Sequence, residues 1–375
     1  MSVALCAVSC YGDIDVVKQL SLTCKTAGFA DGASSTKAEW GANETIYLFR
    51  AEDWSAALMS QISGEGSGVA TFQGNAYGTR KGYYAVRPSS AAGAIRNSGD
   101  ISIEVAPRNI FFAGDDSSVA IPQIGTGNSK NGLSFKSVFG ALKFKVEGIA
   151  SIAKVQALVP NQEHGLYGTF DYNLLAGTIA DDNVVYKVVE EYAPALAVQG
   201  SKEVYLALPA GSYQSVDLLV FDGATKRKIL YSAENVNVSR GVATDATNIV
   251  ATEVSDVVGS WHIKSYCGAE ATVDLYMEFT ANGTFAILQR TELSGYKRFV
   301  GTYSVDVVNS IISGKYSDGE SWADSYKYSL DNEGNLLLQS VSNSSEISVY
   351  EVAEMPDVTA VGETRCEGVG SVKPL

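Results

Sequence analysis

Lys143-Phe144-Lys145-Val146-Glu147 alternates charged and apolar side chains without a break. Successive side chains on a β-strand point to opposite faces, so this stretch reads as a strand with Phe144 and Val146 on a core and its charges toward water. Glu203-Val204-Tyr205-Leu206-Ala207-Leu208 repeats the pattern, as does Val216-Asp217-Leu218 ahead of Leu219-Val220-Phe221 and a turn at Asp222-Gly223. Further out, short runs rich in Val, Ile, Tyr, Phe and Thr alternate with clusters of Gly, Asn, Asp and Ser. Helical periodicity is confined to Asp53 to Ile62, where Asp53 is expected to cap a short helix ending at Gly64. The fold class that follows is all-β.

At 375 residues the chain exceeds one ordinary core, and 46% hydrophobic with 19% charged residues is the composition of a folded protein. Three blocks are expected. The first runs from Val16 to the Gly125-Thr126-Gly127-Asn128-Ser129 loop, and the second from Lys130 to about Thr252. The third spans residues 253–355, and a tail of 356–375, polar and unpatterned, reads as mobile. A net charge of −14 repels phosphate backbones and disfavours nucleic-acid binding, so no nucleic-acid partner is expected. No run of about 18 apolar residues is present to span a bilayer as a helix.

The third block is the most legible. Strands are expected at Trp261 to Tyr266, Val273 to Phe279, Thr284 to Thr291, Arg298 to Val305, Ser310 to Tyr316, Ser325 to Leu330, Asn335 to Val341 and Ile347 to Val352. Turns at Asn282-Gly283, Asp318-Gly319 and Asp331 to Gly334 separate them, and such a series closes naturally into an up-and-down barrel. Alternation turns Leu275, Met277 and Phe279 to one face, with Phe299, Tyr303 and Val305, then Tyr326, Tyr328 and Leu330. Phe279, Phe285, Phe299, Tyr303, Tyr326 and Tyr328 are therefore the candidate barrel lining, for an apolar ligand or glycan or as a filled core.

This block resembles the lipocalin-like domains of bacterial surface proteins: Gly259-Ser260-Trp261 has the Gly-x-Trp form that opens such barrels, followed by Phe279 to Phe285, Gly301-Thr302-Tyr303, Gly314-Lys315-Tyr316 and Trp322. The resemblance implies that Trp261 packs across the closed end of the barrel, with Gly259 and Trp261 as structural marks. The first two blocks resemble the fimbrillin-like proteins of Bacteroides-type bacteria, through Thr36 to Gly41, Glu44 to Phe49, Gly82 to Pro88, Leu133 to Val146 and Leu208-Pro209-Ala210-Gly211. That resemblance implies two tandem antiparallel β-sandwiches exported as a lipoprotein, with adhesion or surface display as the function and surface proteins, fimbrial proteins or host ligands as partners. Polymerising pilins of this kind are cleaved after an early Arg, yet the first forty residues hold none. With a further domain after the second sandwich, this favours a tip, anchor or solitary role over a shaft subunit.

The N-terminus reads the same way. Met1-Ser2-Val3-Ala4-Leu5-Cys6-Ala7-Val8-Ser9-Cys10 resembles the end of a lipoprotein signal, which implies acylation of Cys10 and an outer-membrane or cell-surface location, with the lipid as the sole membrane contact. The n-region and much of the apolar stretch are missing, as they would be if the gene began upstream of Met1.

The sequence carries no recognisable pattern of catalysis. His164 and His262 lie in different blocks outside any zinc spacing, no G-x-S-x-G elbow or phosphate-binding loop precedes a helix, and Gly64 to Gly68 lacks a Lys-Ser/Thr pair. Asp115-Asp116 and Asp181-Asp182 lack the spacing of a calcium loop, and Cys6, Cys10, Cys24, Cys267 and Cys366 allow no metal pattern. The expectation is a non-enzymatic protein without cofactor or metal.

Overall fold

The computed structural model describes residues 16–32, 34–96, 98–115, 121–224, 227–290, 295–306, 308–331, 333–357 and 362–364. The chain is all-β: the one helical element among the described residues is a single 3-10 turn at Ser89–Ala91. It divides into two compact units between Ala251 and Thr252.

In the first unit, seven strands close into a barrel in the order Val17–Lys25, Gly132–Ser137, Gln123–Asn128, Tyr83–Arg87, Thr45–Arg50, Ala56–Ser63 and Val69–Tyr77. Closure joins sequence-distant segments: Cys24 and Lys25 pair in parallel with Leu133 and Ser134. The Gln123–Asn128 and Gly132–Ser137 strands form a hairpin across the expected division at residue 129. Asp53 lies in a turn, and Ala56–Ser63 is a strand where a helix was expected. Its ladders to Thr45–Arg50 and Val69–Tyr77 and the burial of Met59 decide the local structure over any capping preference.

The rest of this unit is layered. A four-stranded sheet (Ile110–Phe112, Ser201–Leu208, Gly140–Glu147, Ala243–Asp245) shares a core with a five-stranded one (Lys187–Ala197, Ser151–Leu158, Gly211–Asp222, Lys228–Val238, Val250–Val254). Its opposite face is also covered: Phe111, Ala141, Tyr205 and Ala207 join a second core with Phe49, Ile103 and Phe170. The opening alternation is therefore half right. Phe144 and Val146 are buried, but Lys143 is not on an open face; it is paired with Asp31 and Asp245, both at 2.9 Å. A third sheet, Thr178–Val185, Tyr167–Asn173, Asp100–Val105 and Ala92–Ile95, pairs strands from both expected sandwiches.

In the second unit, Gly259–Tyr266, Asp274–Phe279, Thr284–Arg290, Lys297–Asp306, Ile311–Tyr316, Tyr326–Leu330, Leu336–Ser340 and Ile347–Val352 follow one another as antiparallel neighbours. The last pairs with the first, Trp261 opposite Val352, and closes the eight-stranded barrel. Each begins and ends close to its expected bounds. In the tail, Thr364 donates its backbone N–H to Arg298 O at 2.6 Å, so that residues 362–364 lie along the Lys297–Asp306 strand.

Candidate functional site

The expected lining residues do face inward, and they meet one another. Phe279, Phe285 and Phe299 are buried, and Tyr303, Tyr326 and Tyr328 pack against the same core. Phe279 touches Tyr303 edge-on at 5.1 Å and Phe285 touches Tyr316 at 5.6 Å. Trp322 enters from the Ser317–Ser325 loop, its ring lying 5.2 Å from Phe285 and 6.2 Å from Phe279 and Tyr326. It rests across Gly314, where an added Cβ would come within 2.2 Å of the indole. Asp324 holds the loop by accepting from the Ser340 hydroxyl, from Ser342 N at 2.9 Å and from Ser342 Oγ at 2.7 Å. The indole Nε1 of Trp322 is buried without a hydrogen-bond partner.

Trp261 is buried, donates Nε1–H to Val257 O at 2.8 Å, and lies 3.6 Å from where a Gly259 Cβ would sit. Gly259 has φ +150°, a conformation that favours glycine.

Because Trp261 and Ile263 point in, His262 points out, and it is the centre of a cluster that sequence inspection of single residues misses. His262 Nε2 hydrogen-bonds Asp274 Oδ1 at 3.0 Å, Nδ1 lies 3.6 Å from Glu351 Oε1, and the ring stacks on Tyr276 at 4.3 Å. Asp274 Oδ2 accepts from Arg290 Nη2 and from the Tyr296 hydroxyl, each at 2.7 Å, while the Arg290 guanidinium lies 4.9 Å from the Tyr296 ring centre. Burial raises the Asp274 carboxyl, but the hydrogen bonds from Tyr296 and His262 and the nearby Arg290 charge outweigh it and hold it below its ordinary value. Burial, then the bond to Asp274, pushes the Tyr296 phenol up to about 12. The result is a half-buried row of planar groups, locked by one carboxylate, on the outside of the barrel. Part of the signal was available: His262 faces Tyr276 and Asp274 faces Arg290 in successive strands of a meander, while Glu351 meets His262 through closure of the barrel.

Other expected positions are structural. His164 packs edge-on against Tyr213 at 5.4 Å and beside Gly211; Asp115 accepts from Phe112 N at 3.0 Å, and Asp181 from Gly165 N at 2.9 Å. Among the described residues no group of three or more His, Cys, Asp or Glu is placed to hold a metal ion, and no helix is long and apolar enough to cross a membrane. Cys6, Cys10, Asp116 and Cys366 lie outside the described residues.

Residues 36–41, 44–49 and 82–88 meet at one buried cation. Arg87 grips Glu44 through Nε and Nη2, both at 2.6 Å, donates to Glu39 O at 2.5 Å and Thr26 Oγ1 at 2.9 Å, and lies 4.1 Å over the Trp40 ring.

No family model matches the chain, and no curated protein does. Among solved structures, one from Bacteroides fragilis described as a "putative cell adhesion protein" aligns with a TM-score of 0.35 at 10% identity, covering 62% of this chain and 96% of that one.

Proposed function

We propose that this chain is a non-enzymatic bacterial surface lipoprotein acting in adhesion or surface display, an accessory or tip component anchored through Cys10. The observation that carries the reading is the division of labour in the C-terminal barrel: its interior is occupied by its own rings, whereas His262, Tyr276, Tyr296 and Arg290 stand fixed on its outside. Rigid aromatic and Arg groups lose little entropy on docking and dominate contact energies, so such a face suits recognition without bond chemistry. The fimbrillin-like and lipocalin-like resemblances support the same assignment.

Two experiments test it. Metabolic labelling with a fatty-acid analogue should mark the protein expressed from its full upstream frame and not its Cys10→Ala variant. Cells lacking the protein should adhere less to mucin-coated or host-cell surfaces, and a Tyr276→Ala/Arg290→Ala variant should fail to restore adherence. Full restoration by that variant refutes the outer-face assignment, and an unlabelled intracellular protein refutes the surface reading.

A second reading, capture of a small apolar ligand inside the barrel, requires Trp322 to leave its seat on Gly314. Its unpartnered indole N–H favours that, because an unsatisfied buried donor costs about 1–3 kcal/mol.

A further inference from the structure

Among the described residues, six of the fourteen exposed large hydrophobic side chains, Val16, Val17, Leu58, Ile62, Val69 and Tyr77, lie on or beside three adjacent strands of the N-terminal barrel. Four of them gather at the end where the described chain begins. Val17 is the direct cross-strand partner of Tyr77. Continuing the Ser60–Gln73 register puts Leu58 opposite Asn75, one diagonal step from Tyr77, and Leu58 O lies 2.6 Å from where a Gly74 Cβ would sit. Leu20, Met59 and Ala76 between them point inward, so Val17, Leu58 and Tyr77 share the outer face.

Cations stand beside this apolar end in a chain of net charge −14, although Asp13 and Asp15 precede Val16 in sequence. Lys18 follows Val17, and Arg80 and Lys81 follow Tyr77 in the next turn; all three are exposed. At that turn Glu52 accepts from Arg80 N at 2.6 Å, from Lys81 N at 2.7 Å and from the Thr79 hydroxyl, and lies 3.4 Å from Arg50 Nε. Aliphatic side chains with a Tyr among them and cations at the margin match the acyl boundary, the interface and the phosphates of a bilayer in turn.

We propose that this end of the N-terminal barrel, formed by Val16, Val17, Leu58 and Tyr77 and rimmed by Lys18, Arg80 and Lys81, docks on an anionic phospholipid surface. The proposal extends the surface-lipoprotein reading: Cys10 precedes Val16 by six residues, an extended reach of about 20 Å, so a lipid there holds this end against the membrane. An acyl chain alone gives marginal binding, and a second contact makes anchoring stable and fixes orientation.

The test separates docking from acylation by using the full chain with Cys10→Ala. Flotation with vesicles of phosphatidylcholine and phosphatidylglycerol at low salt should carry this protein upward. Leu58→Ser/Tyr77→Ser and Lys18→Glu/Lys81→Glu should each lower the floated fraction at least fivefold, and added salt should do the same. Ile62→Ser/Val69→Ser, at the other end of the same strands, should leave it unchanged. Unchanged melting temperatures confirm that the variants fold. Failure of the parent to float, or equal loss in the control, overturns the docking surface. So does a concentration-dependent dimer abolished by Leu58→Ser, which assigns the patch to a second copy. Fatty-acid labelling at Cys10 is read separately: its absence refutes the lipoprotein reading, whereas label without flotation refutes only the docking.

Discussion

Replacement of Arg87 by Ala should cost the N-terminal unit about 3–4 kcal/mol and leave the C-terminal barrel untouched. The guanidinium is 3% exposed, and its removal leaves the Glu44 carboxylate without its cation, with only the bond from Gly41 N, takes a donor from Glu39 O and strips the cation from the Trp40 face. Breaking a buried ion pair from one side costs about 3–5 kcal/mol, because the surviving charge keeps its desolvation penalty. Glu44 retains 18% exposure, so water can partly solvate it and the lower part of that range applies. At about 2–4 °C per kcal/mol for a unit of this size, the calorimetric transition of the N-terminal unit should fall by about 10 °C. Arg87→Lys keeps the charge but not the two-pronged grip, and should recover less than half of the loss. A double-mutant cycle with Glu44→Gln should return a coupling of about 2 kcal/mol, since the side chains touch directly. Urea unfolding followed by fluorescence supplies an independent midpoint. A loss under about 1 kcal/mol, or an equal shift in both transitions, refutes the argument that this cation organises the N-terminal barrel.

Trp322→Ala should destabilise the C-terminal unit by about 3–5 kcal/mol in chemical denaturation, because it empties the aromatic centre, whereas Trp322→Phe should cost far less, since it also deletes the unpartnered donor. Acid should weaken the C-terminal unit as Asp274 titrates. Its folded pKa is lowered, so its contribution is complete above the unfolded value of about 3.9 and is lost as pH falls through the folded value; Asp274→Asn should flatten the fall in melting temperature below pH 4. Burial pushes the Cys24 thiol up to about 12, so at pH 8 iodoacetamide should modify exposed Cys267 and spare Cys24 until the protein unfolds, as peptide mass mapping would show.

The two units differ in how far their sequence reveals them, and the reason is the distance over which strands choose partners. In the C-terminal barrel each strand pairs with the next, so turn signals such as Asn282-Gly283 and Asp318-Gly319 mark the strands and the order follows. In the N-terminal unit Leu133 pairs with Cys24, and Ser102 with Asp171, across most of a domain of intervening chain. Alternation reports which face of a strand is apolar and nothing about its neighbour, so a split at residue 129 looked natural although a hairpin crosses it. The same limit explains Lys143. Its charge indicates water, but the opposite face of its sheet is a second core, and Asp31 and Asp245 arrive from elsewhere to neutralise it. His262 and Arg87 follow the same logic at the level of side chains. Each looks ordinary in its own strand, and each acquires its environment from residues that only pairing brings close, Asp274 and Glu351 for one, Glu44 and Trp40 for the other. The Asp274 side of the first could have been inferred, because in a meander sequence neighbours are spatial neighbours, whereas Glu351 arrives only with closure of the barrel. The second could not, because Glu44 meets Arg87 only after the Thr45–Arg50 and Tyr83–Arg87 strands have found each other.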